Sequence, residues 1–239
     1  MTRARTARER ARNEVTGEIK RAATAQLAAV GAAALSLRAV ARDVGMVSSA
    51  VYRYFPSRDA LLTALIVDAY DDLGATAERT HADAAGKPAG ECWLLVCRAV
   101  RSWARASPHR WSLLYGSPVP GYAAPPDTIG PAVRLNRVMA QILVEAAGSQ
   151  QLTPPARVLP EPRVTTPEVA DVADAEIPPA HADLLERALV LMIGLVGSVS
   201  YELFGHLAGA ISDHDTYFDR VVALVAETAG LEVPLPANR

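Results

Sequence analysis

The chain has 239 residues, half of them hydrophobic and 21% charged, which is enough apolar material for a sizeable core and too much for a wholly disordered chain. Its two cysteines, Cys92 and Cys97, exclude a disulfide scaffold and a four-thiolate zinc site. The net charge of −2 hides a division: residues 1–62 carry 11 basic and 5 acidic side chains (net +6), and residues 63–239 carry 13 and 21 (net −8). A small basic module on an acidic body points to nucleic-acid contact by the first part alone; the plainer alternative is a solvated basic tail.

Met1 to Arg12 is basic, and no apolar stretch follows it, so no secretory signal is expected and the chain is assigned to the cytoplasm. Apolar residues at Ile19, Ala22, Ala23, Leu27 and Val30 predict a helix over 14–30 that Gly31 ends. A short helix follows over 37–44, with Ser36 as N-cap and Leu37, Val40, Ala41 and Val44 on one face. Gly45 suits a sharp turn. A third helix is expected over about 48–54, closed by Pro56. Ser57 can cap a long fourth helix whose stripe is Leu61, Leu62, Leu65, Ile66, Ala69 and Leu73.

Further helices are predicted at 89–106, 108–115, 131–147, 181–209 and 214–229, with Ser107-Pro108 reading as an N-cap and first-turn proline. Residues 116–130 form a Pro/Gly loop, and 150–180 hold seven of the 17 prolines and read as a linker or long loop. No stretch shows strand alternation, so the fold class is all-α. The uncharged run Ala188–Tyr201 spans 14 residues, short of the roughly 20 that cross a bilayer, and reads as a buried helix with no membrane partner.

Two short helices joined by a glycine turn after a longer helix outline a helix-turn-helix. The second enters the major groove in that motif, while the first crosses the phosphate backbone. Ser48, Ser49, Tyr52 and Arg53 then form the exposed face, with Val44 and Val51 in the shared core. Arginine can grip guanine, and serine and tyrosine can reach phosphate or base edges. Arg3, Arg5, Arg8, Arg10 and Arg12 offer a basic arm. The alternative is a three-helix unit that merely packs.

The stretch Leu35–Leu62, LSLRAVARDVGMVSSAVYRYFPSRDALL, strongly resembles the DNA-binding domain of TetR-family transcriptional regulators, and Tyr52–Leu62 is its most specific part. The resemblance covers about residues 14–66. It implies an all-helical homodimer with a small DNA-binding domain (1–62), a larger ligand-binding and dimerisation domain (63–230) and a tail (231–239). It also implies that Ser36 contacts backbone at the start of the second helix, that Ser48, Ser49, Tyr52 and Tyr54 contact DNA, that Arg58 sits on a phosphate, and that Phe55 is core. Val47 and Ser49 stand where the family usually has serine and glycine, which leaves Ser48 as the candidate cap. Arg58 replaces the usual lysine and keeps its charge.

In the body, Arg110–Pro125, RWSLLYGSPVPGYAAP, resembles a branch of that family with a Trp/His/Gly signature; Gly197 fits the later part, while Met192 and Val196 stand at its Trp and His positions. Trp93, Trp103, Trp111, Tyr115, Tyr122 and Met139 are the candidates for a ligand pocket, since such pockets are mostly apolar; ordinary core is the alternative for each. The resemblance places a dimer interface on helices 181–209 and 214–229. There Gly194, Gly197, Ser198 and Gly205 permit close approach, and Leu191, Leu195, Val199 and Leu203 can pack around them.

Cys92 and Cys97 are expected to be buried thiols. No phosphate loop or nucleophile elbow occurs, and the five histidines lack metal-ligand spacing, so no enzyme activity, cofactor or metal is expected. These readings converge on a repressor released from a palindromic operator by a small apolar effector. The rivals are a helical binding or scaffold protein whose head no longer binds DNA, and a helical enzyme using the body.

Overall fold

A computed structural model describes residues 7–154, 159–161, 164–166 and 181–235. The protein is all-α: α1 (Ala7–Val30), α2 (Leu37–Asp43), α3 (Ser48–Val51), α4 (Arg58–Asp83), α5 (Ala89–Ala106), α6 (Pro108–Tyr115), α7 (Ile129–Gly148), α8 (Leu184–Leu203) and α9 (His214–Glu227). Among the described residues the β pairing is one isolated bridge, Leu152 to Leu231. It pins the start of the proline-rich segment to the chain after α9; much of that segment lies outside the described residues.

Local chemistry explains most boundaries. Ser57 Oγ accepts from the Ala60 N–H at 3.0 Å and caps α4 as expected. Asp213 caps α9 through the N–H groups of Asp215 and Thr216. α1 starts seven residues earlier than expected, because Arg8, Arg10 and Ala11 are good helix formers with no breaker among them. α8 stops at Leu203, not near 209: Gly205 takes a φ of 79°, which leaves the right-handed helix.

The chain forms two compact units. The described residues up to Ala69 group with Ser107–Thr128, and Tyr70–Ala106 groups with the described residues from Ile129 onward. α6 thus belongs with the helix-turn-helix, although its sequence lies inside the span expected for the body. Ile19, Leu27, Val40, Val51, Leu61 and Leu65 are buried in the first unit, and Trp111 is fully buried there too.

The second unit is built on α5, α7, α8 and α9. Trp93 is fully buried, and its Nε1–H donates to the Val222 carbonyl at 3.0 Å. Both cysteines are buried and free, as expected. Burial pushes the Cys92 thiol up to about 11 and the Cys97 thiol well above its ordinary value. Leu191, Leu195 and Val199, expected at a subunit interface, are fully buried within their own chain. The outward row of α8 is instead Leu189, Val190, Ile193 and Tyr201. With apolar residues on both faces, the 20-residue α8 is long and apolar enough to cross a membrane by length and composition alone. Its inward row packs in the second unit.

Candidate nucleic-acid interface

The helix-turn-helix is α2, the turn 44–47, and α3. The turn follows from backbone chemistry: Gly45 takes a φ of 67°, its N–H donates to the Arg42 carbonyl, and the Met46 N–H donates to the Ala41 carbonyl at 2.9 Å. That pair of bonds closes α2 in a Schellman motif and starts α3 in a new direction. α3 is shorter than expected. It holds α-helical form over Ser48–Val51 and continues as turns, with Tyr54 and Phe55 N–H groups both on the Val51 carbonyl.

The cap is not Ser48. Val47 occupies the N-cap with extended backbone (φ −69°, ψ 142°), without a side-chain cap bond, and is 70% exposed. Ser48 is the first helical residue, because capping needs a non-helical residue before the first turn. Val51 is fully buried, as expected, while Val44 is half-buried. Phe55 is buried, as core.

Ser49, Tyr52 and Arg53 are exposed together, and Ser48 and Tyr54 are half-buried beside them. The Arg12 guanidinium carbon lies 5.4 Å from the centroid of the Tyr54 ring, so one arginine of the expected arm rests on an aromatic of the recognition segment. Arg3 and Arg5 lie outside the described residues. Ser36 sits at the N-cap of α2 without a side-chain cap bond, half-buried. Arg38 and Arg42, exposed one turn apart on α2, were not among the candidates. Their i, i+4 spacing opposite Val40 and Ala41 is the signal that marks them as outward-facing. Arg58 is turned toward backbone carbonyls of residues 32–35.

The pocket candidates separate between the two units. Trp111, Tyr115 and Tyr122 lie in the first: the Trp111 and Tyr115 rings stand 4.6 Å apart, and the Tyr122 hydroxyl bonds Thr63 at 2.9 Å. Trp93, Trp103 and Met139 lie in the second. Trp93 and Met139 are fully buried, and Trp103 donates to Asp72 at 3.0 Å. A polar cleft of about 460 Å³ in the second unit is lined by Arg98, Arg101, Ser102, Arg105, Asp215 and Asp219. Among the described residues no group of three or more His, Cys, Asp or Glu is placed to hold a metal ion.

Comparison with known proteins bears on both units. Residues 19–65 match the family described as bacterial regulatory proteins, tetR family, and residues 93–225 match the tetracyclin repressor-like C-terminal domain. Over 226 residues the chain is 39% identical to the HTH-type transcriptional regulator Rv1816 of Mycobacterium tuberculosis, covering 92% of this chain and 96% of that one. The HTH-type transcriptional regulator Mb1846 of Mycobacterium bovis matches equally. The solved structure of the regulatory protein SCO4313 superposes with a TM-score of 0.71 at 34% identity, covering 92% of this chain and 98% of that one. The TetR-family regulator PfmR of Thermus thermophilus shares the fold, with a TM-score of 0.56 at 14% identity over 87% of this chain and 96% of that one.

Proposed function

The chain belongs to the TetR family of bacterial DNA-binding transcriptional regulators, and from that premise we propose that it is a homodimeric repressor released from a palindromic operator by a small apolar effector. The observation that carries the DNA part is the joint exposure of Ser49, Tyr52 and Arg53 at the end of a helix-turn-helix, within residues 1–62, whose net charge is +6. Arg53 reads a base edge, and Ser48, Ser49, Tyr52 and Tyr54 hold phosphate or base. Arg38 and Arg42 meet the backbone crossed by α2.

Dimerisation runs through α8 and α9. Supporting this, Ile193 is 71% exposed and Leu224 is 62% exposed, and Val190, Tyr201 and Tyr217 extend an apolar surface that water does not favour. A two-fold dimer presents two recognition segments to half-sites about one helical turn apart. The effector binds the second unit, among the helices whose core holds Trp93 and Met139. It acts by preferring a subunit arrangement with the wrong half-site spacing, and its effect is bounded by that preference.

The test is selection of duplexes by the chain from a random-sequence pool, followed by titration against random competitor at near-physiological salt, with Tyr52→Ala as control. Inverted half-sites, bound in preference to competitor and lost in the variant, are expected. Recovered sites without two-fold symmetry would end the palindrome reading. A compound that raises the melting temperature yet leaves operator affinity unchanged at saturation would end the release mechanism for that compound.

A further inference from the structure

Arg58 opens α4 and carries a charge that the resemblance assigns to a DNA phosphate. Its guanidinium is engaged elsewhere. Nη2 donates to the carbonyls of Ala32 (2.8 Å) and Ala33 (3.1 Å), and Nε donates to the carbonyl of Leu35 (3.2 Å). Nη1 faces its own neighbour, Asp59, at 3.5 Å. The three carbonyls belong to the connector between α1 and α2. Gln26 holds the same connector from α1: its Oε1 accepts from the Ser36 N–H at 3.4 Å, and its Nε2 donates to the Asp43 carboxylate at 2.9 Å.

This arrangement has a physical reason. Carbonyls in a short connector keep spare lone pairs, even at Ala32, which also accepts from the Leu35 N–H at 3.3 Å, so a cation with several donors satisfies them well. A planar guanidinium serves three carbonyls from a fixed fork, whereas an ammonium is a single compact point charge on a flexible stem. The connector ends at Ser36, the N-cap of α2, and α2 leads into α3 through the Schellman turn. Fixing the connector therefore fixes where the recognition segment starts.

We propose that Arg58 is a positioning residue for operator recognition, clamping the α1–α2 connector to the start of α4 in place of a phosphate contact. This rests on the DNA-binding reading above, and one arm of its test needs no DNA.

The full-length chain and its Arg58→Ala and Arg58→Lys variants are titrated with a duplex that the wild-type chain recovers from a random pool, and with a random duplex, across a range of salt. Both variants are expected to lose about tenfold or more on the selected duplex, since lysine keeps the charge but not the fork. On random duplex they are expected to stay within about threefold, because phosphate contacts dominate there. The slope of log affinity against log salt stays unchanged. Wild-type affinity in Arg58→Lys, or a slope shallower by about 0.9 in Arg58→Ala, would make Arg58 a phosphate contact and overturn the proposal. Equal loss on both duplexes would leave only a structural role and overturn it too.

In the DNA-free arm, amide hydrogen exchange of Arg58→Lys is compared with wild type. Faster exchange at Val40 and Val44 is expected, with protection at Ala23 and Leu27 unchanged. Exchange at Val40 and Val44 equal to wild type, or faster exchange throughout the unit, would overturn the clamp whatever the DNA arm reads.

Discussion

Gly194 on α8 lies so close to Val225 on α9 that a Cβ at Gly194 would stand 2.8 Å from both Val225 methyl carbons. The glycine thus sets the approach of these helices within one chain. Gly197, one turn later, has nothing within 4 Å of the same position. Gly194→Ala forces a stiff β-branched neighbour to move, at about 1–3 kcal/mol, partly offset by up to about 1 kcal/mol of helix propensity. Thermal unfolding at fixed protein concentration should show a lowered melting temperature for Gly194→Ala, and an unchanged or raised one for Gly197→Ala. Equal effects would mean that the α8–α9 approach is not set at Gly194.

The outward row of α8 gives a second expectation. Ile193 is among the most exposed large apolar residues of the second unit. Ile193→Glu puts a charge at the centre of the proposed subunit interface, where its desolvation is not compensated. Sedimentation should then report a species near the single-chain mass of 25.4 kDa, with helical circular dichroism retained. A variant that sediments as wild type would move the interface off this face.

Arg101 ties three helices together. Its guanidinium makes a two-pronged bond to Glu202 (2.6 and 2.9 Å), a further bond to Asp215 at 2.7 Å, and lies over the Phe218 ring at 4.9 Å. Its side chain is only 8% exposed and that of Glu202 14%. Arg101→Ala leaves the nearly buried Glu202 carboxylate with the more distant Arg105, at 3.9 Å, and breaking a buried pair costs on the order of 3 kcal/mol. Arg98 is 45% exposed, but the Asp219 carboxylate that it holds by two bonds is only 11% exposed, so Arg98→Ala also strands a nearly buried carboxylate and should cost on the order of a few kcal/mol. Denaturant midpoints below wild type in both variants are expected, and an unchanged midpoint in either would contradict this.

The residues that the sequence made legible are those whose signal is local. Ser57 before a polar–apolar period announced α4, and Gly45 between two short apolar periods announced the turn. Ser48 failed as the cap because residue type alone does not say where extended backbone ends. Leu191, Leu195 and Val199 were misplaced because α8 is apolar on both faces, and no pattern then tells which row turns inward. The same limit hid the partners of Arg58, which lie more than twenty residues upstream. It also hid the grouping of α6 with the head, since long-range packing leaves no trace in local spacing.

Stability toward acid follows from Arg134 on α7. It donates to both carboxylate oxygens of Glu78 at 2.8 and 2.5 Å and to Asp71 at 2.7 Å. The hydrogen bond from Arg134 is the main reason that the Glu78 carboxyl titrates below its ordinary value. Folding therefore favours the ionised form, and the contribution is present above an ordinary glutamate pKa of about 4.3. It is lost as pH falls through the lower folded-state pKa, because the unfolded chain binds the proton first. Half-exposure of Glu78 keeps the effect modest. Glu78→Gln should flatten the dependence of the unfolding midpoint on pH as pH falls below the ordinary glutamate value of about 4.3. A variant with the wild-type slope would show that the pair does not report on acid stability.

Arg53 decides whether the exposed end of the motif reads sequence. Its side chain is exposed at the end of the recognition segment, beside Tyr52. A guanidinium that donates two bonds to guanine loses about 1–3 kcal/mol on Arg53→Ala, and the loss falls on the selected duplex while random duplex is little changed. A guanidinium on a phosphate loses similar affinity on every duplex and lowers the salt slope by about one. Selection repeated with Arg53→Ala separates the two further. A base contact relaxes the preference at one position of each half-site, and a phosphate contact leaves the recovered sequence intact. Retention of the full sequence preference together with a reduced salt slope would therefore place base readout on Ser48, Ser49 and Tyr52, and Arg53 on the backbone.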